Sequence, residues 1–220
     1  MRAGDITRIL TITNGVPWQT EEWNRLCSLL PDAVRNSSRS YVNWQDRQAT
    51  VLGRLLLRHG LLSWGLGLQS ICLDANGRPF LSDAMDIDFN ISHTEGIVVC
   101  ALREGGRVGI DVEGLRPLES FDYRLVFTET ECCLMEDSVD AANLFFNFWT
   151  RKEALIKADG RGFFLNPLTF EVFEDTILIG EKTWYLEKIS LGDGYLCHLA
   201  LDSPGHYCVE KLAIEKFLNQ

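Results

Sequence analysis

Gly105-Gly106-Arg107-Val108-Gly109-Ile110-Asp111-Val112-Glu113 is the stretch on which the reading of this chain turns. The glycine pair is a turn signal, and residues 108–113 read as a strand. Side chains alternate along a strand, so Ile110 and Val112 point into a core while Asp111 and Glu113 share the other face. Two carboxylates side by side repel each other unless a cation or basic group lies between them. Mg²⁺ suits such a pair, because it takes one or two carboxylates and completes its shell with water and phosphate oxygens. A solvated strand edge shows the same alternation, and taken alone that reading is the stronger.

The flanks of this stretch set the fold class. Toward the N-terminus, residues 97–103, 79–82 and 70–74 read as short strands, and residues 6–13 as a β-branched strand. A helix is expected over 20–30, capped by Thr20, with Glu21 and Glu22 in its first turn and Pro31 ending it. A longer helix spans 43–62, with Leu52, Leu55, Leu56 and His59 on its inner face. At 100° per residue, Arg47, Arg54 and Arg58 fall within about 40° of one another on another face. A stripe of this kind is usually solvated. Toward the C-terminus come a helix over 128–136 capped by Thr128 and a long helix over 141–158 ended by Gly160. Residues 170–173, 184–189, 195–201 and 207–211 then read as antiparallel strands, with turns such as Asp193-Gly194 between them.

Each half thus has one long helix and several short strands. That is α+β, without the strand–helix alternation of a doubly wound fold. Two similar lobes of about 100 residues in a pseudo-twofold arrangement are expected, each a small antiparallel sheet packed with a long helix. The boundary falls at the glycine pair, giving lobes over 1–106 and 107–220, with a site in the cleft between them.

The chain has 220 residues, 46% of them hydrophobic, with 21 Lys plus Arg against 31 Asp plus Glu, for a net charge of −10. That balance argues against a general nucleic-acid binder. The charge is uneven: residues 1–60 carry eight Arg, no Lys and five acids, a local balance of +3. An anionic ligand is therefore expected to dock on the first quarter. Seven cysteines, with Cys132 and Cys133 adjacent, match neither a secretory framework nor a metal knuckle. They read as reduced thiols used as small core residues. Residues 1–13 lack the charged-then-apolar pattern of a signal peptide, and no apolar run approaches a membrane span. A cytoplasmic protein that binds no membrane is expected.

Three further segments carry chemistry-bearing residues. In Trp149-Thr150-Arg151-Lys152-Glu153-Ala154-Leu155-Ile156-Lys157, the helical repeat stacks Trp149, Glu153 and Lys157 on one face. Glu153 is then a third carboxylate or a base, and Lys157 a phosphate holder; equally, the two form an ordinary helix pair of about 0.2–0.5 kcal/mol. In Asn90-Ile91-Ser92-His93-Thr94-Glu95, Ser92 and Glu95 have capping-box spacing for a short helix, whose N-terminus with His93 would face an anion. Asn76-Gly77-Arg78-Pro79 reads as a hairpin turn, with Arg78 a cation held on it.

Separately these are ordinary features. Together, in order and spacing, they resemble the Sfp-type 4′-phosphopantetheinyl transferases over roughly residues 31–201. That family's signature is Gly-Lys-Pro, Asn-x-Ser-His, Gly-[Ile/Val]-Asp-[Ile/Val]-Glu and Trp-x-x-Lys-Glu-[Ser/Ala]-x-x-Lys. The chain has Gly77-Arg78-Pro79, Asn90-Ile91-Ser92-His93, Gly109 to Glu113 and Trp149 to Lys157, then Gly160-Arg161-Gly162. Its length matches the two-lobed, monomeric type rather than the half-length trimeric one.

The resemblance implies transfer of the phosphopantetheine arm of coenzyme A to a serine of an acyl or peptidyl carrier protein, with release of 3′,5′-ADP. It implies Mg²⁺ on Asp111, Glu113 and Glu153; oxygen ligands admit Mn²⁺ as well. Glu153, or a water on the metal, would take the serine proton, with Lys157 and His93 holding phosphate oxygens. Asn76, Gly77, Arg78 and Pro79 would line the coenzyme pocket, together with Asn90 and Ser92. Arg78 departs from the family's Lys, keeping the charge and changing its reach. By a looser match, Thr50, Arg35 and Arg47 would serve the 3′-phosphate, with Arg39 a further partner. Carrier proteins are acidic, so a basic or apolar patch is expected for them at Arg116 and residues 121–127. Two rival readings stay open: a Mg²⁺-dependent hydrolase of coenzyme A or nucleotides, and a non-catalytic module that binds coenzyme A or a carrier. Three converging acids count against the module.

Overall fold

The apolar run at 97–102 lies at the centre of the protein because both of its faces are covered. The computed structural model describes residues 6–68, 71–118 and 123–219. In it the run forms β5 (Gly96–Glu104), antiparallel to both β1 (Ile6–Asn14) and β4 (Ile87–Thr94). Val98, Cys100 and Leu102 join Leu10 and Ile12 in a core under helix α3 (Trp44–Leu61). The alternate set, Ile97, Val99 and Ala101, joins Ile9 and packs with Val108, Ile110 and Val112 of β6 (Val108–Gly114). Cys197 and Leu199 of β9 (Tyr195–Leu201) complete this shared layer. Two sheets therefore lie face to face through a common apolar layer, the arrangement that alternating side chains of doubly covered strands demand.

The second sheet runs β6-β9-β8-β7, with β7 (Thr176–Ile179) and β8 (Lys182–Lys188). Its outer face is covered by α5 (Ala141–Asp159), whose Ala154, Leu155 and Ala158 pack with Trp184, Leu186 and Ala200. Gly109 opens the way for that helix. A Cβ there would land on the Ala154 carbonyl and the Ala158 nitrogen. The first position of the Gly-Ile-Asp-Val-Glu stretch is glycine because α5 crosses β6 backbone to backbone. Helix α4 (Glu129–Glu136) begins at Thr128, which caps it and forms a capping box with Glu131, as the sequence predicts.

Several expectations are corrected. Helix α1 (Thr20–Ser28) is capped by Gln19 with Glu22, so Thr20 is its first residue and not its cap. Pro31 ends that region by opening a further helix, α2 (Asp32–Ser38), that the sequence reading omits. The turn at Asn76-Gly77 joins β2 (Ile71–Leu73) to β3 (Pro79–Leu81), with Gly77 at φ 82°, as expected. Residues 170–173 are not a strand. Side chains take up their backbone instead: Lys152 donates to the Phe170 carbonyl and Val172 N donates to Glu131. The last strand, β10 (His206–Leu212), is not antiparallel; it runs parallel to β1 at the edge of the first sheet. Leu212, together with Phe217 of α6 (Glu215–Leu218), enters the first core. The first sheet thus draws on residues beyond a 106/107 cut. Residues 90–95 form no helix, because β4 pairs with β5 along its whole length and turns at Glu95-Gly96, where Gly96 has φ 86°. Ser70 and Phe121, the first residues of an expected strand and of the expected carrier patch, lie outside the described residues.

Candidate active site

β6 is an edge strand of its sheet, so the outward N–H groups of alternate residues have no strand partner. They are met by side chains of β4 instead. Val108 N donates to Asp88 Oδ2 at 2.8 Å and Ile110 N to Asn90 Oδ1 at 2.9 Å. Val112 N donates to Ser92 Oγ and Gly114 N to Thr94 Oγ1, at 3.4 and 3.3 Å. Four short polar residues at every second position of β4 thus replace a strand ladder and seal the seam between the sheets. Two outward carbonyls of β6 are met as well, Val108 by Arg78 and Ile110 by Lys157.

Asp111 sits above this seam, 5% exposed. Its Oδ1 accepts from Lys157 Nζ at 2.6 Å and Ser92 Oγ at 2.8 Å. Its Oδ2 is buried and meets no partner among the described residues. Burial pushes the Asp111 carboxyl above its ordinary value, against the opposing pull of Lys157. Glu153 is also pushed up, chiefly by burial; Lys157 opposes the shift, and Asp111 and Glu113 reinforce it. Glu113 lies further out, where its Oε2 accepts from Arg116 Nη1 at 3.0 Å and Thr94 Oγ1 at 3.3 Å. Burial pulls the His93 imidazole down, opposed first by Asp46.

Glu153, Lys157, Glu113 and His93 open onto adjoining clefts. One, of about 430 Å³, is walled by the turn Asn76, Gly77, Arg78 and Pro79, by Asn90, and by Trp149, Glu153 and Lys157 of α5. The helical stack expected for Trp149, Glu153 and Lys157 does face a single cleft. A second, of about 450 Å³, brings His93, Thr94 and Glu113 beside Asn43 and Asp46 at the start of α3. A third, of about 310 Å³, is an apolar groove of Arg116, Pro117, Tyr123, Phe145 and Trp149, again reaching Glu113.

The remaining predicted residues divide. Arg78 has no N–H left for a ligand. Its guanidinium grips Asp88 at 2.7 and 2.8 Å, and it donates to the carbonyls of Lys157, Val108 and Pro79. At 7% exposure it latches the turn, which walls the first cleft, to α5 and β6. Thr50 Oγ1 donates back to the Asp46 carbonyl within its own helix. Arg35 pairs with Asp32, and Arg47 donates to the Tyr41 carbonyl at 3.1 Å. Phe127, the end of the expected carrier patch, is 1% exposed and belongs to the second core. Arg116 is half-exposed and lies over the Phe146 ring.

The acids do not gather into one cage. Among the described residues, no three His, Cys, Asp or Glu side chains stand together as a ligand set. Within the expected trio Asp111, Glu113 and Glu153, Lys157 pairs with Asp111 and Arg116 with Glu113. The orphaned Asp111 Oδ2 nevertheless fits an ion that takes one or two carboxylates and draws its other oxygens from water and phosphate. The sequence reading passed over Thr94 and Asp88. Their signal was the run of short polar acceptors at positions 88, 90, 92 and 94.

Comparison with known proteins agrees with this architecture. Residues 107–202 match the model of the 4′-phosphopantetheinyl transferase superfamily, and residues 17–104 match that of the 4′-phosphopantetheinyl transferase N-terminal region. The chain is 30% identical to the 4′-phosphopantetheinyl transferase Sfp of Bacillus subtilis (strain 168), over 71% of each chain. It is 35% identical to the 4′-phosphopantetheinyl transferase gsp of Aneurinibacillus migulanus, over 81% of this chain and 80% of that one. It is also 31% identical to the L-aminoadipate-semialdehyde dehydrogenase-phosphopantetheinyl transferase of Schizosaccharomyces pombe, over 65% of this chain and 64% of the relative. Fold and sequence together define a transferase. The chain belongs to the 4′-phosphopantetheinyl transferase family. Among the described residues, no helix is long and apolar enough to cross a membrane.

Proposed function

We propose that the protein transfers the phosphopantetheine arm of coenzyme A to a serine hydroxyl of an acyl or peptidyl carrier protein, with a divalent cation. The serine oxygen forms a bond to the pantetheine-side phosphorus of the coenzyme A pyrophosphate. The bond from that phosphorus to the bridging oxygen breaks, and 3′,5′-ADP leaves with the electron pair. The single observation that carries this reading is the cleft in which Glu153 and Lys157 stand opposite the 76–79 turn.

Glu153 takes the serine proton. It lines the same cleft as Lys157, where the serine hydroxyl and the pyrophosphate would meet. Lys157 holds pyrophosphate oxygens, and His93 holds phosphate from the neighbouring cleft. Asn76, Gly77 and Pro79 line the adenine side; Arg78 acts by fixing their turn. Asp111 and Glu113, with Glu153 as a further ligand, would hold Mg²⁺ or Mn²⁺, which would supply charge neutralisation at the pyrophosphate. The apolar groove beside Glu113 and Arg116 receives the carrier, as its place next to the acids supports. Carriers of fatty-acid, polyketide, nonribosomal-peptide and lysine pathways all fit this chemistry. The protein acts as a cytoplasmic monomer.

The test is the intact mass of an apo carrier protein incubated with this protein, coenzyme A and Mg²⁺, with an EDTA control. The expected gain is one phosphopantetheine, roughly 340 Da, blocked by EDTA. Coenzyme A breakdown with no carrier modified would make the protein a hydrolase. Coenzyme A bound without turnover on a panel of carriers would make it a binding module.

A further inference from the structure

Ser92 and Thr94 stand in the same relation to successive acids. Each hydroxyl oxygen accepts an N–H from the residue after an acid: Val112 for Ser92, Gly114 for Thr94. Each hydroxyl hydrogen is then free for the acid itself, Asp111 Oδ1 at 2.8 Å and Glu113 Oε2 at 3.3 Å. The repeat follows from geometry. β4 and β6 run side by side in the same direction, so a two-residue step along one matches a two-residue step along the other. A hydroxyl has one donor and two acceptor sites, so one short side chain can accept a backbone N–H and donate to a carboxylate at once. Asp88 and Asn90, lower in the same row, accept from β6 N–H groups but touch no acid of that strand.

Resting on the reading of Asp111 and Glu113 as the metal-binding acids, we infer that Thr94 is a positioning residue for Glu113, as Ser92 is for Asp111. Thr94 ties the Glu113 carboxylate to the seam between the sheets, on the same strand whose Ser92 holds Asp111. Without it, Glu113 keeps Arg116, whose half-exposed side chain leads it out toward the apolar groove. The row at 88–94 then has two functions along its length: sealing the strand edge at its start, aiming carboxylates at its end. Ligand-aiming partners of this kind commonly change metal affinity by about 10- to 100-fold when removed.

The test is Mn²⁺ binding to the full chain with coenzyme A present, followed by the free-ion electron paramagnetic resonance signal. Thr94→Val keeps the shape and removes the hydroxyl; Thr94→Ser keeps the hydroxyl and removes the methyl. Thermal melts confirm that each variant is folded. Thr94→Val is expected to weaken Mn²⁺ binding by about tenfold, and Thr94→Ser to stay within about twofold of wild type. Equal binding by Thr94→Val and wild type would overturn the inference. So would equal losses in both variants, which would make packing the cause. No Mn²⁺ binding by wild type would instead overturn the metal reading of the acids, and this inference with it.

Discussion

Two lysines five residues apart on α5 each hold a carboxylate, and they do opposite things. Lys152 is 2% exposed and meets Glu131, itself fully buried, at 2.9 Å. Its other protons go to the carbonyls of Pro167 and Phe170, at 2.5 and 2.7 Å. Glu131 is equally satisfied, accepting from Thr128 N and Val172 N. Lys157 meets Asp111 at 2.6 Å, yet its side chain is 27% exposed in a cleft and Asp111 Oδ2 has no partner among the described residues. A completed buried pair fastens α4 and the 165–172 loop to α5. In the incomplete one, Lys157 lines a cleft and its charge stays within reach of a ligand. What separates structure from chemistry here is whether the partners are used up, and Arg78, with every N–H engaged, falls on the structural side.

The largest expected effect tests the structural lysine. Lys152→Met leaves Glu131 charged and buried, which costs about 3–5 kcal/mol. Urea unfolding measures it, and the folded fraction should retain transfer activity. A change under about 1 kcal/mol would break the contrast.

Next comes the cleft side. Asp111→Ala and Glu153→Ala should each lower transfer by on the order of 10²–10³-fold. Melting temperature without metal should stay level or rise, because a carboxyl whose charged form is disfavoured chiefly by burial is gone. Wild-type turnover in either variant would end the assignment of that residue.

The smallest effect sharpens the comparison through pH. Asp111 and Glu153 hold protons more tightly in the fold than their ordinary values of 3.8 and 4.5. Between those values and the raised ones, the folded state binds more protons than the unfolded chain. Their contribution to stability is therefore highest on the acid side and falls as pH rises through that window. Asp111→Asn should flatten the fall in denaturant midpoint measured without metal from pH 4 upward. An unaltered slope would mean that burial does not govern this carboxyl.

Much of this was legible in the residues. Asn43 before a leucine-rich 3.6 repeat marks α3, and Gly160 marks the end of α5. Two-residue alternation puts Ile110 and Val112 in the shared apolar layer and Asp111 on the opposite face of β6. Such signals are local, because periodicity and caps act over a few residues. Ser92 and Glu95 show where local signals mislead. Their spacing suits a helix cap, but eight residues paired with β5 outweigh one cap, and the segment is a strand.

The sequence by itself determined the family motifs, the two long helices and the shared face of the acids. Only the tertiary structure decided that Arg78 is spent on Asp88, that β10 returns to the first sheet, and that Thr94 reaches Glu113. The reason is separation along the chain. Contacts between residues ten to two hundred positions apart exist only once two sheets have packed through their common apolar layer, and no local period encodes which side chain will then face which.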